Sequence, residues 1–248
     1  MHNPNISLMA SNVTEIDIVI LSFAQTAALK QVTIDCLNSL IASEDPEQIK
    51  FNVIVIESQK DLKPYQYEHS QTIYPDEEFG YNRYMNIGIS MTAAPYLCLC
   101  NNDLLFYPRW ATEILDAFNT YPELSSASPM CTIHHTKLGA TPNMGLIPGY
   151  LERTEVSGWC LFFRRSMLEL TGLLDGNFIF RHASHDYCHL LQVLGLNHVL
   201  VTSSIVDHLD HTTLNKQEPE RFHELMDKQD VYYHKKWAYR LGHNWEEY

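Results

Sequence analysis

Basic side chains are scarce in this sequence. Its 248 residues contain 17 lysines and arginines against 30 aspartates and glutamates, which gives a formal net charge of −13. This charge argues against a broad surface for nucleic acid or for an anionic membrane, although a local basic groove is compatible with it. An anionic substrate would therefore need help from a metal ion, a helix N-terminus or a few placed cations.

Cysteine pairs with the spacing of a metal or redox motif are also missing. The six cysteines form no CxxC pair and lie mostly in apolar surroundings, so we expect buried, reduced thiols in a reducing compartment. The first residues lack a basic segment followed by an apolar one, and no apolar run approaches the length of a membrane span. These absences predict a cytoplasmic protein without a transmembrane segment.

No internal repeat, low-complexity tract or interdomain linker interrupts the chain. With 45% apolar residues, a chain of this length can bury one large core. We therefore expect a single domain over residues 16–248, preceded by a flexible polar arm over residues 1–15. The irregular composition of residues 132–153 predicts a long mobile loop, and loops of this length are usually functional or disordered.

Alternating strand and helix signals predict an α/β fold. Residues 16–22 and 51–57 are β-branched runs of the kind found in buried parallel strands, and apolar residues at helical spacing lie between them. Two strands joined by a helix form a right-handed unit, which implies a parallel sheet. Further strands are predicted over residues 96–100, 155–164 and 198–203, and further helices over 82–92, 108–121, 185–194 and from Pro219 onward.

Three polar side chains end the central predicted strand. Asn101, Asn102 and Asp103 follow the apolar run 96–100, and Glu57 ends the second strand. In a parallel sheet these strand ends share the edge at which ligands bind. A carboxylate and carboxamides there suit a hard divalent cation that holds a phosphorylated substrate, whereas an ordinary Asx turn is the alternative.

Eight stretches, taken in order, resemble the inverting family 2 glycosyltransferases of the GT-A fold. Residues 80–89 resemble the family's Gly-x-x-x-x-x-Asn-x-Gly-Ile helix, and residues 96–103 match the strand that ends in its Asp-x-Asp metal motif. No single stretch is specific, but together they span roughly residues 16 to 238. The other stretches are residues 16–22, 53–57, 157–175, 186–196, 206–208 and 232–237.

The resemblance implies a GT-A fold, with a mostly parallel central sheet flanked by helices. Residues 16–103 would form the nucleotide-binding half, and residues 104–248 the acceptor half with the C-terminal helices. It also implies metal-dependent, inverting transfer of a sugar from a nucleoside-diphosphate sugar to an acceptor hydroxyl, with Mn²⁺ or Mg²⁺ as the cation. The acceptor stays open among a glycan, a lipid-linked glycan, a protein and a modified nucleobase.

The resemblance places the metal between Asp103 and His208. Asn101 stands where the family has its first aspartate, so Asp103 supplies the one charged ligand of that motif. For His208 the alternative is a loop histidine that is hydrogen-bonded to Asp207 or Asp210.

For the catalytic base the sequence offers two neighbours, Asp186 and His185. Asp186 lies in the first turn of a predicted helix, where the helix dipole keeps a carboxylate ionised. His185 competes for the same role, because an imidazole is a common general base near neutral pH. The Glu-Asp pair that usually precedes this helix in the family aligns with Ala183 and Ser184, which leaves the identity of the base open.

The remaining candidates belong to the sugar-nucleotide site. Backbone groups after the first strand can meet the nucleobase, Glu57 can accept hydrogen bonds from uracil or ribose, and Trp159 can stack on a sugar unless it is a core residue. Arg83 can replace an arginine that the family often has just before Asn86. The predicted binding residues are Ser22, Phe23, Ala24, Glu57, Asn82, Arg83, Asn102, Gly158 and Trp159.

Other functions stay open on the sequence. A sugar-nucleotide-binding protein without turnover would fit the weakened metal motif and the missing Glu-Asp pair. A nucleotidyltransferase shares the parallel sheet, but it normally places a Gly-rich basic loop after the first strand, where residues 23–26 read Phe-Ala-Gln-Thr. Histidines at positions 182, 185 and 189 would suggest a separate metal face, although no fourth ligand accompanies them.

Overall fold

The computed structural model describes residues 13–209 and 219–241, and in the last helix it describes the side chains of residues 227–238. Strands and helices alternate along most of this chain. The strands are β1 Thr14–Ser22, β2 Ile49–Glu57, β3 Gln71–Ile73, β4 Tyr96–Asn101, β5 Leu104–Phe106, β6 Leu124–Met130, β7 Leu146–Pro148, β8 Cys160–Arg164 and β9 Asn197–His208. The α-helices are α1 Ala27–Ala42, α2 Tyr81–Ser90, α3 Trp110–Thr120, α4 Leu168–Thr171, α5 Ala183–Val193 and α6 Pro219–Leu241.

The first strand begins two residues earlier than predicted, so the predicted N-terminal arm is shorter. Residues 1–12 of that arm lie outside the described residues, and so does Asp210. β1 begins at Thr14 rather than at residue 16, because Thr14 and Glu15 already pair with β2. Among the described helices, none is both long and apolar enough to cross a membrane.

One mixed sheet carries the fold. Its strand order is β3-β2-β1-β4-β8-β6-β9-β5, with β7 also paired to β9. β3, β2, β1 and β4 run parallel, as the two β-branched runs predict. β8 is antiparallel to β4 and β6, whereas β6 and β9 are parallel to each other. The carboxyl ends of β1, β2, β4 and β9 consequently meet at one edge of the sheet.

Helices cover both faces of this sheet. Successive residues of β1 point to opposite faces, so Ile18 packs in the layer of α1 and α3, and Val19 packs in the layer of α2 and α5. A Cβ on Gly88 of α2 would lie 2.4 Å from Cγ1 of Val19. Glycine is therefore needed at this position for α2 to lie directly on β1.

All six cysteines are buried and free, as predicted. Cys98 and Cys100 share one face of β4, and Cys160 of β8 pairs with Cys100 across the sheet. Their sulfur atoms lie 3.4 to 4.0 Å apart. Burial raises the pKa of these three thiols well above the ordinary value, so they are neutral core side chains beneath the end of β4.

The segment 132–153, predicted to be an irregular loop, contains regular structure. A short 3₁₀ helix covers His135–Leu138, and β7 pairs with β9 at Leu146–Pro148. Residues 151–156 form a turn, so the predicted strand 155–164 is shortened to β8. β5 and β6 were not predicted. β6 has the sequence Leu-Ser-Ser-Ala-Ser-Pro-Met, and its small side chains give no strand signal.

Candidate functional site

Asp103 and His208 lie side by side at the carboxyl edge of the sheet. β5 runs antiparallel to the end of β9, with Leu104 opposite His208, and the backbone N–H of Leu209 donates to the carbonyl of Asp103 at 2.9 Å. This pairing brings Oδ1 of Asp103 to 3.2 Å from Nε2 of His208. The two side chains are 10% and 15% exposed, so both are largely buried.

The geometry of this pair fits a divalent cation. In an octahedral site with bonds of about 2.1 Å, neighbouring ligand atoms lie about 3 Å apart, close to the separation of Asp103 Oδ1 and His208 Nε2. The carboxamide of Asn101 lies 3.4 Å from the same His208 nitrogen. Its nitrogen and oxygen can exchange places by a flip, which would offer an oxygen ligand. The two predicted metal ligands are therefore brought together.

Trp159 packs against His208 rather than standing open to a sugar. The two rings are parallel, with centroids 5.1 Å apart and an interplanar angle of 2°. His134 and His135 surround the same indole at 5.3 and 5.7 Å, and Trp159 is only 6% exposed. In this structure Trp159 is a nearly buried ring that packs on His208, which agrees with the alternative of a core residue, while stacking on a sugar stays a prediction.

The sequence singled out residues 132–153 as a loop but assigned no role to His134 or His135 within it. The backbone N–H of Cys131 donates to Nδ1 of His135 at 2.8 Å. Burial lowers the pKa of His135 to about 4, so its imidazole is neutral at physiological pH. Only the adjacent histidines in the sequence pointed to this role, because the contacts of the loop depend on the fold.

Asp207 holds the same loop against the end of β9. Its carboxylate accepts hydrogen bonds from the backbone N–H and hydroxyl of Thr132, at 2.6 and 2.9 Å, and from the hydroxyl of Tyr107 at 3.1 Å. The carboxylate of Asp207 is therefore hydrogen-bonded to Thr132 and Tyr107. The alternative reading of His208, as a loop histidine bonded to Asp207, finds no support in these contacts.

Glu57 is buried at the end of β2, not exposed. Its carboxylate accepts hydrogen bonds from Ser22 Oγ at 2.7 Å, Tyr67 hydroxyl at 2.9 Å, and the backbone N–H groups of Ala24 and Gln59 at 3.1 and 2.8 Å. A carboxylate offers about four acceptor positions, so these bonds use its capacity. In this structure Glu57 fixes the loop that follows β1, and its contact with a nucleobase stays a prediction.

A buried polar network links this loop to the metal edge. Nδ2 of Asn102 donates to the hydroxyl of Thr33 on α1 at 2.8 Å, and Thr33 lies 2.8 Å from the hydroxyl of Ser22. Ser22 in turn donates to Glu57. The ends of β1, β2 and β4 are consequently held in one arrangement. Phe23 is half-buried beside this network.

Asn82 and Arg83 hold a turn rather than project toward the metal edge. Nδ2 of Asn82 donates to the carbonyl of Asp175 at 2.9 Å, and Nε of Arg83 donates to the carbonyl of Gly176 at 3.1 Å. Asn86 makes a reciprocal pair of bonds with Leu174. These contacts fasten α2 to residues 174–176, and the nucleotide-binding role of Asn82 and Arg83 stays a prediction.

Asp186 is covered by the C-terminal helix. Its Oδ1 accepts a hydrogen bond from the indole of Trp237 at 2.9 Å and lies 2.7 Å from Nζ of Lys236. Burial raises the pKa of this carboxyl, against the opposing effect of Lys236. Lys236 also lies 2.7 Å from Oδ2 of Asp175. The predicted base is therefore an ion-pair partner of α6 in this structure.

The three histidines of α5 do not form a metal site. The rings of His182, His185 and His189 lie around Tyr233 of α6, with centroids 4.1, 6.1 and 5.8 Å from its ring. Among the described residues, the one group of three ligand-type side chains that converges is the buried cysteine group of β4 and β8. The histidine face serves to dock α6.

Gly158 lies against the first turn of α5. A Cβ on Gly158 would be 2.6 Å from Cβ of Ser184, so this residue must be glycine for β8 and α5 to approach. The hydroxyl of Ser184 donates to Glu152 at 2.9 Å, and Nε2 of His185 lies 3.6 Å from the same carboxylate. The predicted acceptor side therefore contains an acid, Glu152, that sequence reasoning missed.

No protein-family model matches this sequence, and no curated protein matches it with significant similarity. Solved structures do match. The structure of GalNAc-T7 with UDP, GalNAc and Mn²⁺ aligns with a TM-score of 0.65 and 11% identity, over 84% of this chain and 46% of that one. A mannosyltransferase from Pyrobaculum calidifontis, PcManGT, in complex with GDP-Man and Mn²⁺ aligns with a TM-score of 0.61 and 12% identity, over 93% of this chain and 66% of that one.

The fold is that of the GT-A glycosyltransferases. The fold class predicted from the sequence is thereby confirmed, as a large mixed sheet flanked by helices. Both neighbours hold a nucleotide and Mn²⁺, the same ligand classes that the sequence predicts here. The chain spans less than two thirds of either neighbour, and at these identities the likeness concerns the fold.

Proposed function

We propose that this protein is a metal-dependent glycosyltransferase that moves a sugar from a nucleoside-diphosphate sugar to an acceptor hydroxyl with inversion. The observation that carries the proposal is the pair of Asp103 and His208, whose ligand atoms lie 3.2 Å apart at the carboxyl edge of a GT-A sheet. Family 2 is the inverting group whose motifs the sequence resembles.

Asp103 and His208 would hold the cation, with the carboxamide of Asn101 beside them. The cation, when bound, supplies Lewis acidity to a diphosphate leaving group. Trp159 keeps the imidazole of His208 in one plane, and Asp207 fixes the neighbouring loop. With one carboxylate in the motif, we expect moderate metal affinity and a requirement for added Mn²⁺ or Mg²⁺ in assays.

The loop after β1 would receive the nucleoside. Glu57 fixes the backbone of Ala24, and Thr26 caps α1, so residues 23–26 present a fixed surface next to the metal edge. The base can meet backbone groups and the ring of Phe23 there. The network from Asn102 to Glu57 couples this loop to Asp103. These contacts support preorganised binding of a sugar nucleotide.

A donor screen tests the proposal. The protein is incubated with UDP-, GDP- and dTDP-sugars, with and without Mn²⁺, and nucleoside diphosphate is detected by mass spectrometry. We expect metal-dependent release from one class of donor, and an NMR spectrum of the product should show the inverted anomer. If no donor releases nucleoside diphosphate but a nucleotide binds in the presence of metal, the protein is a sugar-nucleotide-binding protein without turnover. The asparagine at position 101, where the family has an aspartate, favours this second function.

A further inference from the structure

The carboxylate of Glu152 lies at the first turn of α5. Oε1 accepts a hydrogen bond from the hydroxyl of Ser184 at 2.9 Å, and Oε2 lies 3.6 Å from Nε2 of His185. The Glu152 side chain is 17% exposed, so it has limited but real access to solvent. The N-terminus of an α-helix stabilises an ionised carboxylate, which is the form that accepts a proton.

The backbone around Glu152 fixes this position. The N–H groups of Thr154, Glu155 and Val156 donate to the carbonyl of Leu151, and the N–H of Arg153 donates to the carbonyl of Val156 at 2.8 Å. Arg153 adopts a left-handed conformation with φ of 65°. This tight turn holds the Glu152 side chain toward α5, while the adjacent residues Leu151 and Arg153 are exposed.

Two adjacent residues, Gly158 and Trp159, contact Glu152 and the proposed metal ligand His208 respectively. Its Oε1 is 3.6 Å from the position of a Cβ on Gly158. Trp159 follows directly and stacks on His208, the partner of Asp103. The carboxylate therefore lies beside Gly158, one residue before Trp159, in the segment where the sequence predicts the acceptor side.

The other buried acids of this region already serve the fold. Glu57 accepts four hydrogen bonds, Asp207 binds Thr132 and Tyr107, and Asp186 is paired with Lys236. Glu152 has weaker partners. They are one neutral hydroxyl, a half-exposed imidazole at 3.6 Å and the exposed guanidinium of Arg153 at 3.8 Å. Of these acids, Glu152 therefore has the lone pairs least occupied by strong hydrogen bonds.

We propose that Glu152 is the general base of the transfer, an inference that rests on the proposed function. The acceptor O–H bond breaks and its proton moves to the Glu152 carboxylate. The acceptor oxygen forms a bond to the anomeric carbon, and the bond from that carbon to the diphosphate breaks with its electron pair leaving on the nucleoside diphosphate. The hydroxyl of Ser184 positions the carboxylate, and the half-exposed His185, 3.6 Å away, lies where it can pass the proton to solvent.

The decisive variant is Glu152→Gln, which preserves the size of the side chain and an oxygen for Ser184. We expect kcat for transfer to fall by about 100-fold or more, with unchanged affinity for nucleoside diphosphate and Mn²⁺ and an unchanged melting temperature. The ascending acid limb of the kcat/KM pH profile should disappear. Glu152→Asp should retain partial activity, and it provides the readout if Glu152→Gln does not fold.

Glu155→Gln is the matched control, because Glu155 lies in the same turn but accepts a hydrogen bond from the backbone of Leu151. It should keep the wild-type kcat. Transfer by Glu152→Gln at the wild-type rate, or a retained anomer in the wild-type product, would overturn the inference. Loss of activity in Asp186→Asn with full activity in Glu152→Gln would return the role to Asp186. If wild-type protein transfers no sugar, the proposed function itself fails.

Discussion

Gly158 is the residue on which the approach of β8 and α5 depends. A methyl group there would lie 2.6 Å from Cβ of Ser184, a contact between atoms near the backbone that cannot relax by rotating a side chain. We predict that Gly158→Ala destabilises the fold by about 1–3 kcal/mol. It should also displace Ser184 and Glu152, so the loss of activity should exceed the loss expected from the unfolded fraction alone.

Urea unfolding and steady-state kinetics on the same preparation check this prediction. A Gly158→Ala variant that unfolds at the wild-type urea concentration would contradict the packing argument.

The family resemblance, rather than residue identity alone, predicted the Asp103–His208 pair, and it did not predict the partners of the other acids. The structure places these two side chains together because β5 pairs with the end of β9. Glu57 ends a strand, yet its role depends on Tyr67 and Ala24, which no spacing rule connects to it. The partner of Asp186, Lys236, lies 50 positions later in the chain, beyond any local pattern.

At the scale of elements, α6 is fastened to the rest of the fold by Lys236. Its ammonium group lies 2.7 Å from Asp186 and 2.7 Å from Asp175, and the three side chains are 6% to 18% exposed. Removing one partner of a buried ion pair leaves the other charge without compensation. We predict that Lys236→Met destabilises the protein by about 3 kcal/mol and makes α6 more sensitive to proteases.

Chemical unfolding and limited proteolysis provide the measurement. Lys235→Met is the control, since Lys235 is the adjacent, exposed lysine of the same helix. The prediction is contradicted if Lys236→Met and Lys235→Met unfold at the same denaturant concentration.

Elements were predicted best where burial on both faces leaves a continuous apolar signature. β1, β2 and β4 have this signature, and the structure contains them close to the predicted bounds. β6 and β5 were missed because their positions in the sheet are set by β9 and β8 rather than by their own residues. The segment 132–153 gains its order in the same way, from pairing of β7 with β9.

For the whole molecule, two neutral buried histidines predict sensitivity to acid. Burial lowers the pKa of His135 to about 4 and that of His198 to about 4. In the unfolded chain an imidazole has a pKa of about 6.5. Between these values the unfolded chain binds protons that the folded chain does not, so the free energy of unfolding falls as pH falls from 6.5 to 4.

His198 offers a clean test of this pH dependence. Its Nδ1 accepts a hydrogen bond from Ser126 at 2.6 Å, and its Nε2 donates to the carbonyl of Glu155 at 3.0 Å. His198→Gln should reduce the slope of unfolding free energy against pH by about 1.4 kcal/mol per pH unit near pH 5. The exposed His69 is the control, and His69→Asn should leave the slope unchanged. Equal slopes for wild type and His198→Gln would refute the assignment.

The central claim is that Asp103 and His208 hold the cation through which a nucleoside diphosphate binds. Its most direct test is a calorimetric titration of UDP and GDP into wild-type protein and Asp103→Asn, each with and without Mn²⁺. We predict that Mn²⁺ tightens binding of one nucleotide to wild type by about tenfold or more, and that Asp103→Asn abolishes this gain. Equal affinity with and without Mn²⁺ in the wild type, or a full gain in Asp103→Asn, would contradict the account.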